Sequence, residues 1–259
     1  MSVIKYPKTY HIEGSKLFQI TAPVELNQSL MKIPLQSVQS QYLVIEEKMD
    51  GTQISVSFLP SKQPVFQSRG TILKGGKGEG EFDLLKQWGW QYHTELWELL
   101  EDRYILFGEW LYYRHTIFYD VLPAYFLEFD IYDKKNGVFL STEERKKRLA
   151  GCSFIHSVRV IDSGCFKYVG ELIALISYSA FISKNYRTNF LKQNVKNATL
   201  DKITDTLDRY MEGLYIKVEN KAEVVARYKF IRGDFLTRIN SVNAHLSKLS
   251  VTHNGLISL

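Results

Sequence analysis

Strand-like runs that carry a charge where a structural strand would place an apolar residue constrain this chain more than any other feature. The stretch "VIEEKMDGTQISVSF" from Val44 sets two such runs, "YLVIEE" and "QISVSF", around Lys48, Met49, Asp50, Gly51 and Thr52. Asp-Gly is a favoured hairpin turn because both residues tolerate positive φ, so a surface hairpin with a solvated lysine is the simplest reading of this stretch alone. The pattern recurs, however: Arg69 in "QSRG", Glu109 in "LFGEW", Glu128 and Asp130 in "FLEFD", Glu212 and Lys217 in "MEGLYIK", and Arg227 and Lys229 in "ARYKF". Sheet faces rarely bury so many charges without a use for them.

Alternation assigns the faces. Arg227 and Lys229 lie two apart and share one face of their strand, while Tyr228 and Phe230 take the other. In "EGLYIK" the apolar Leu214 and Ile216 share a face opposite Gly213, Tyr215 and Lys217. The expected result is a cleft lined with charges of both signs.

Around these strands, "FDLLKQWGWQYHTELWELLEDR" has apolar residues at close to helical spacing, "EERKKRL" reads as a short charged helix and "VGELIALISYSAFI" as another helix. "SFIHSVRVID" reads as one strand, "LKGGKGEGEF" as a mobile loop without a P-loop ending, and residues 183–208 as polar helices and loops. "GLYIKVE" and "VVARYKFIR" form a strand pair joined by "NKAE", and an amphipathic helix is expected from Asp234 to about Leu249. Locally paired short strands with helices between their groups predict an α+β fold with mainly antiparallel sheets; a doubly wound βαβ rhythm and a G-x-G-x-x-G signature are both missing.

The 259 residues and 45% hydrophobic content suffice for one large domain, or one domain with an appendage. A net charge of +5 suits a polyanionic partner. Cys152 and Cys165 are too few and too isolated for a zinc site or a disulfide framework, and the six histidines lack metal-ligand spacing. The sequence contains no apolar run of about 20 residues and does not open like a signal peptide, so no membrane association and a cytoplasmic location are expected.

In order and content the motifs resemble the covalent nucleotidyltransferases, the family of ATP-dependent RNA ligases, DNA ligases and mRNA capping enzymes. The resemblance rests on six elements in sequence: "KMDG" (Lys48 to Gly51), "SRG" (Ser68 to Gly70), "FGEW" (Phe107 to Trp110), "YFLEFDIY" (Tyr125 to Tyr132), "MEGLYIK" (Met211 to Lys217) and "RYKF" (Arg227 to Phe230). "KYPKTYHIEGSKL", "FGEWLYYRHTIFYD" and "MEGLYIKVE" look like a bacterial and phage branch of small RNA ligases.

The resemblance implies an α+β nucleotidyltransferase (ATP-grasp-like) domain over residues 1–232, with sheets flanking a nucleotide cleft. A short helical tail over residues 233–259 and no OB-fold domain are expected, because only 29 residues follow Phe230. It implies ATP and Mg²⁺ as cofactors, with Mn²⁺ as a substitute, and Lys48 as the nucleophile that takes AMP. The catalytic set is then Lys48, Lys229, Glu212 and Glu109, with Glu109 and Glu212 also holding a hydrated metal ion. Nucleotide contacts fall to Glu47, Asp50, Gly51, Arg69, Phe126, Lys217 and Arg227. Phe126 would stack on adenine, Arg69 would reach the ribose or the incoming 5′-phosphate, and Lys229 with Arg227 would face the α-phosphate.

An ordinary lysine is protonated at neutral pH, so either the pKa of Lys48 is lowered, a job for cationic neighbours such as Lys229 and Arg227, or its proton leaves as the bond forms. Two positions depart from the family pattern. Gln53 stands near where DNA ligases and capping enzymes have an arginine, which favours the RNA ligase branch, and Arg227 replaces a usual lysine. The implied substrate is RNA with 3′-hydroxyl and 5′-phosphate ends, sealed in RNA repair by a monomer, with a separate end-healing kinase and phosphatase as possible partners. A DNA ligase, or a module that binds or transfers the adenylate without sealing strands, is the alternative. Lys74 and Lys77 would add salt-sensitive backbone contacts. The N-terminal "KYPKTYHIEGSKL" reads as a segment tied to the domain surface, with contact to phosphates through Lys5, Lys8, His11, Ser15 and Lys16 as the alternative.

Overall fold

In a computed structural model, described over residues 4–15, 32–193, 207–235 and 252–257, the charge-bearing runs do form strands. β3 (Leu43–Lys48) and β4 (Thr52–Phe58) flank the lysine turn, followed by β5 (Pro64–Ser68) and the short β6 (Thr71–Ile72). After helices α1 (Asp83–Gln91) and α2 (His93–Leu100) come β7 (Tyr104–Trp110), β8 (Phe126–Asp133) and β9 (Val138–Leu140). Helix α3 (Thr142–Leu149), strands β10 (His156–Ser157) and β11 (Val160–Gly164), and helices α4 (Val169–Ala174) and α5 (Tyr186–Gln193) lead to the hairpin of β12 (Gly213–Glu219) and β13 (Glu223–Ile231). Near the N-terminus lie β1 (Tyr10–Ile12) and β2 (Lys32–Ile33).

The strands join in the order β11-β3-β12-β13-β9-β8-β7-β4-β5-β6, and every pairing along this path is antiparallel. Three short pairings are parallel: β1 with β13, β1 with β2, and β10 with β8. The α+β architecture with mainly antiparallel sheets is thus observed.

Side-chain alternation fixes the register. Leu214, Ile216 and Phe230 pack on Ile12, Leu43 and Ile45 beneath one half of the sheet. Ile54, Val56, Leu106 and Ile131 bury the other half against Leu85, Leu96 and Leu100 of α1 and α2. With the apolar alternates turned into these two cores, the charged alternates face the space where the sheet folds over on itself.

Three elements differ from the sequence reading. The helical run over residues 82–103 is two helices that meet at Tyr92. "SFIHSVRVID" is split between β10, which pairs with β8, and β11, which pairs with β3. A single apolar run cannot reveal that its halves serve two neighbours. In "VGELIALISYSAFI" only Val169–Ala174 is helical, because Phe181 and Ile182 leave the helical track to enter a separate core beside Met49 and Phe118. The helix expected after Asp234 lies, from residue 236 onward, outside the described residues.

Candidate active site

Lys48 ends β3, opposite Gly213 of β12. A Cβ at Gly213 would sit 1.9 Å from the carbonyl oxygen of Phe230, so only glycine lets β12 begin there. That close approach brings the preceding residue, Glu212, against Lys48, whose Nζ donates to Glu212 Oε2 at 2.7 Å. The turn after Lys48 is tied on both sides. Asp50 Oδ2 accepts from the amides of Thr116 (2.7 Å) and Ile117 (2.8 Å), and the Asp50 amide donates to the Tyr119 hydroxyl at 2.9 Å. The Gly51 amide donates to Glu109 Oε1 at 3.1 Å, and a Cβ there would meet the Trp110 carbonyl at 2.6 Å. The Asp-Gly pair therefore fixes Lys48 and Glu109 relative to one another, which is more than a surface turn does.

The lysine opens onto a cavity of about 300 Å³, within the range of small-ligand sites. Its walls include Glu47, Glu109, Phe129, Tyr215 and Lys229. Lys229 lies on β13, paired across to Tyr215 and alongside His11 of β1. The N-terminal segment forms one wall through Tyr6, Pro7, Lys8 and Thr9. It is therefore part of the cleft and not merely a strap on the domain surface.

Burial dominates the electrostatics, opposed by the attraction between Lys48 and the carboxylates around it. Burial would depress the Lys48 ammonium, but the carboxylates of Glu212, Glu109 and Asp50 outweigh it and hold its pKa above the ordinary lysine value. This corrects the first of the two alternatives for Lys48, a lowered pKa. The lysine that is lowered is Lys229, by burial and by the charge of Lys48. Burial pushes Glu109 up to about 8, with Glu212 and Asp50 adding to the rise. Burial likewise pushes Glu212 up to about 7 despite its ion pair with Lys48. Both carboxyls flank Lys48, Glu212 through its ion pair and Glu109 through the Gly51 amide, and as oxygen donors they would suit a hydrated divalent cation. Among the described residues no group of three or more His, Cys, Asp or Glu converges as a fully protein-ligated metal site.

Of the sequence-predicted residues, Lys48, Glu47, Glu109 and Lys229 line the cavity, and Glu212, Asp50 and Gly51 hold Lys48 and Glu109 in place. Glu47 is itself buried, and its carboxylate accepts from the Ala180 amide. Four residues lie elsewhere. Phe126 is 3% exposed, packed on Trp88 and over Gly108 in the core between β7 and the helices. Phe129 takes the place by the cavity instead. In the β7–β8 pairing Phe107 faces Asp130 while Gly108 faces Glu128, which leaves Phe129 as the extra residue of a bulge. A bulge leaves no trace in the alternation of "FLEFD", so the sequence does not show that Phe129 and not Phe126 lines the cavity.

Lys217 is fully buried beneath the cavity, its Nζ 2.9 Å from Glu46 and 3.0 Å from Asp130. Arg145 of α3 bonds Glu46 at 2.5 Å and approaches Glu128 at 3.3 Å. Arg227 leans over the rings of Tyr6 and Phe139, 3.9 Å from Asp130. Three acids and three bases thus close a buried ionic layer, and the strand charges Lys217, Arg227, Glu128 and Asp130 belong to it and not to the cavity wall. Arg69, exposed and at φ 48°, sits in the turn after β5, with Lys5 packed over the neighbouring Gly70.

Sequence reasoning missed Tyr6, whose hydroxyl donates to Asp130 and meets the Tyr215 hydroxyl at 2.7 Å. Its place in "KYPKTYH", the one segment ahead of the first motif that the sequence marked as a possible contact, was the available signal.

The scaffold and the site together define a class: an antiparallel α+β domain built around a lysine held between paired carboxylates and faced by a second lysine. The model of the RNA ligase family matches residues 41–231, and the chain belongs to that family. Solved structures of Naegleria gruberi RNA ligase share the fold. A mutant with ATP and Mn superposes with a TM-score of 0.52 at 16% identity, covering 80% of this chain and 53% of that one. Another mutant, with AMP and Mn, gives a TM-score of 0.53 at 16% identity over 91% of this chain and 62% of that one. The chain therefore spans little more than half of that protein. Comparison with curated proteins gives no match.

Proposed function

We propose that this protein is an ATP-dependent RNA ligase in which Lys48 Nζ attacks the α-phosphorus of ATP, expelling pyrophosphate and leaving AMP on the lysine. The AMP then passes to an RNA 5′-phosphate, and a 3′-hydroxyl displaces it to seal the strand. Membership of the RNA ligase family and the Naegleria gruberi ligase structures with ATP, AMP and Mn support this reading. The observation that carries it is the position of Lys48 at the cavity wall, ion-paired to Glu212 and set against Glu109 across a turn that Asp50 and Gly51 fix.

In the free protein the carboxylates keep Lys48 protonated, so activation has to come with the substrates. A divalent cation on Glu109 and Glu212 would supply positive charge beside the phosphates and draw the carboxylates away from the ammonium. Glu212 accepts the hydrogen bond of the Lys48 ammonium in the free site, and once the cation holds that carboxylate the lysine proton would leave to solvent as the N–P bond forms. Lys229, which carries less tendency to hold its proton than an ordinary lysine, faces the same cavity and would support charge on the phosphoryl oxygens. Glu47 and Phe129 would contact nucleoside atoms. The fold is read as the nucleotidyltransferase domain, acting as a monomer in the cytoplasm on RNA ends made by breakage, with end-healing enzymes upstream. Among the described residues no helix is long and apolar enough to cross a membrane.

The test compares matched nicks whose terminal nucleotides are ribose or deoxyribose on the 3′-hydroxyl strand. Sealing of the ribose nick, and weak sealing of the all-DNA nick, is expected, because sugar hydroxyls report A-form geometry to a small domain. Equal sealing of both would replace the RNA ligase reading with a DNA ligase one.

A further inference from the structure

We propose that Tyr178, Tyr210 and Arg209 form a platform on the rim of the Lys48 cavity that stacks a nucleobase of the RNA strand at the break. The inference rests on the RNA ligase reading and names where the strand, as distinct from the nucleotide, is held. Tyr178 and Tyr210 lie on facing backbone segments joined in an antiparallel bridge. The Ser179 amide donates to the Arg209 carbonyl at 2.7 Å, and the Met211 amide to the Ser177 carbonyl at 3.2 Å. The two rings meet with centroids 4.7 Å apart at 62°, yet remain 50% and 41% exposed. The guanidinium of Arg209 lies 4.5 Å from the centre of the Tyr178 ring.

A pair of large aromatic rings fixed by backbone bonds and left half in water presents a ready π-face, and base stacking on such faces is tolerant of sequence. The surrounding charge suits an RNA backbone. Arg232 is neutralised by Asp208 and Asp234, whereas Arg209 has no ion pair among the described residues, so its charge is free to meet a phosphodiester.

The location ties the platform to the chemistry. Tyr210 precedes, by two residues, the Glu212 that holds Lys48, and Tyr178 precedes, by two, the Ala180 whose amide bonds Glu47. A base stacked here would lie two residues along the chain from the partners of Lys48 and of Glu47, outside the cavity itself, whose lining includes none of the three platform residues.

Supplying RNA already adenylylated at its 5′ end, without ATP, isolates strand sealing from the reaction of Lys48 with ATP. The full chain is compared with two double variants, Tyr178→Leu with Tyr210→Leu, and Tyr178→Phe with Tyr210→Phe. The leucine pair should raise KM for the adenylylated RNA by about 5- to 150-fold, the range expected for losing one stacked base. The phenylalanine pair should seal like the parent, and AMP transfer from ATP to Lys48 should survive in both. Leucine variants that seal like the parent, or phenylalanine variants that lose as much as leucine, would overturn the platform. A direct measurement avoids dependence on how the variants fold: 2-aminopurine at the terminal base of the RNA should be quenched on binding the parent protein, and undiminished fluorescence on saturation would also overturn it. A parent protein that seals no adenylylated RNA at all would instead overturn the RNA ligase reading.

Discussion

At the scale of single residues, the site is a balance between lysines and carboxylates that the ligand-free protein leaves short of positive charge. Lys229 is the one lysine of the pair whose pKa is lowered, and it lines the cavity opposite Lys48. Lys229→Ala should lower the rate of AMP transfer to Lys48 roughly 100-fold or more, the scale of removing one charge-stabilising donor. Lys229→Arg should fail to restore it, because a planar fork does not replace a point charge. Single-turnover labelling with α-labelled ATP checks both, and a Lys229→Ala rate within about twofold of the parent would remove Lys229 from the machinery. A second prediction concerns pH. Glu109 holds its proton up to about pH 8 in the folded, metal-free protein but only to the ordinary carboxyl range when unfolded. Between those values the folded state binds the extra proton, so this group makes stability fall as pH rises through the window. His11, depressed to about 4 by burial and by Lys229, acts in the opposite sense, adding stability that is lost as pH falls from 6.5 toward 4. The contribution of Glu109 is therefore read as a difference. Without metal, Glu109→Gln should gain melting temperature relative to the parent as pH goes from about 5 to 8. A difference that stays flat across that range would place Glu109 in a more hydrated setting than its burial indicates.

Among elements, legibility depended on whether a pattern is local. The hairpin β12–β13 and the two faces of each strand are legible from alternation and the structure has them, while the register that sets Arg227 against Lys217 and Lys229 against Tyr215 comes from the structure. The bulge that moves Phe129 to the cavity, the split of residues 153–162 between two neighbours and the early end of α4 are set by partners far away in sequence, which no local pattern encodes. Strand charge proved ambiguous for the same reason. Alternation shows that Lys217 and Lys229 share a face, but not that Lys217 lies under the neighbouring strands while Lys229 meets open space. The buried layer of Glu46, Glu128, Asp130, Arg145, Lys217 and Arg227 joins β3, β8, β12, β13 and α3, and so holds the two halves of the sheet at the spacing the cavity needs. Lys217→Met should cost roughly 3–5 kcal/mol, because it strands Glu46 and Asp130 without their counter-charge. Urea unfolding would show the loss. Unchanged stability together with abolished AMP transfer would return Lys217 to the nucleotide-contacting role that the family resemblance implies.

For the whole molecule, one sheet that folds over on itself explains why residues distant in sequence meet around Lys48. β3 brings the lysine, β7 brings Glu109, the entry to β12 brings Glu212, β13 brings Lys229, and the N-terminal segment closes the remaining side. The ordered motifs made Lys48, Glu109, Glu212 and Lys229 legible because each carries a charge out of place in an ordinary strand. Of the aromatic wall, Tyr215 was legible from its face of β12, but Tyr6 and Phe129 were not, because in a sequence an aromatic residue at a cavity looks like one in a core. All of these placements serve a single claim, that Lys48 is the residue that becomes covalently joined to AMP. Intact-mass measurement of the protein after incubation with ATP and Mg²⁺ tests it most directly. A gain of one AMP, released by acid and absent from Lys48→Ala, is expected; an adduct that persists undiminished on Lys48→Ala would contradict the role of Lys48 as nucleophile.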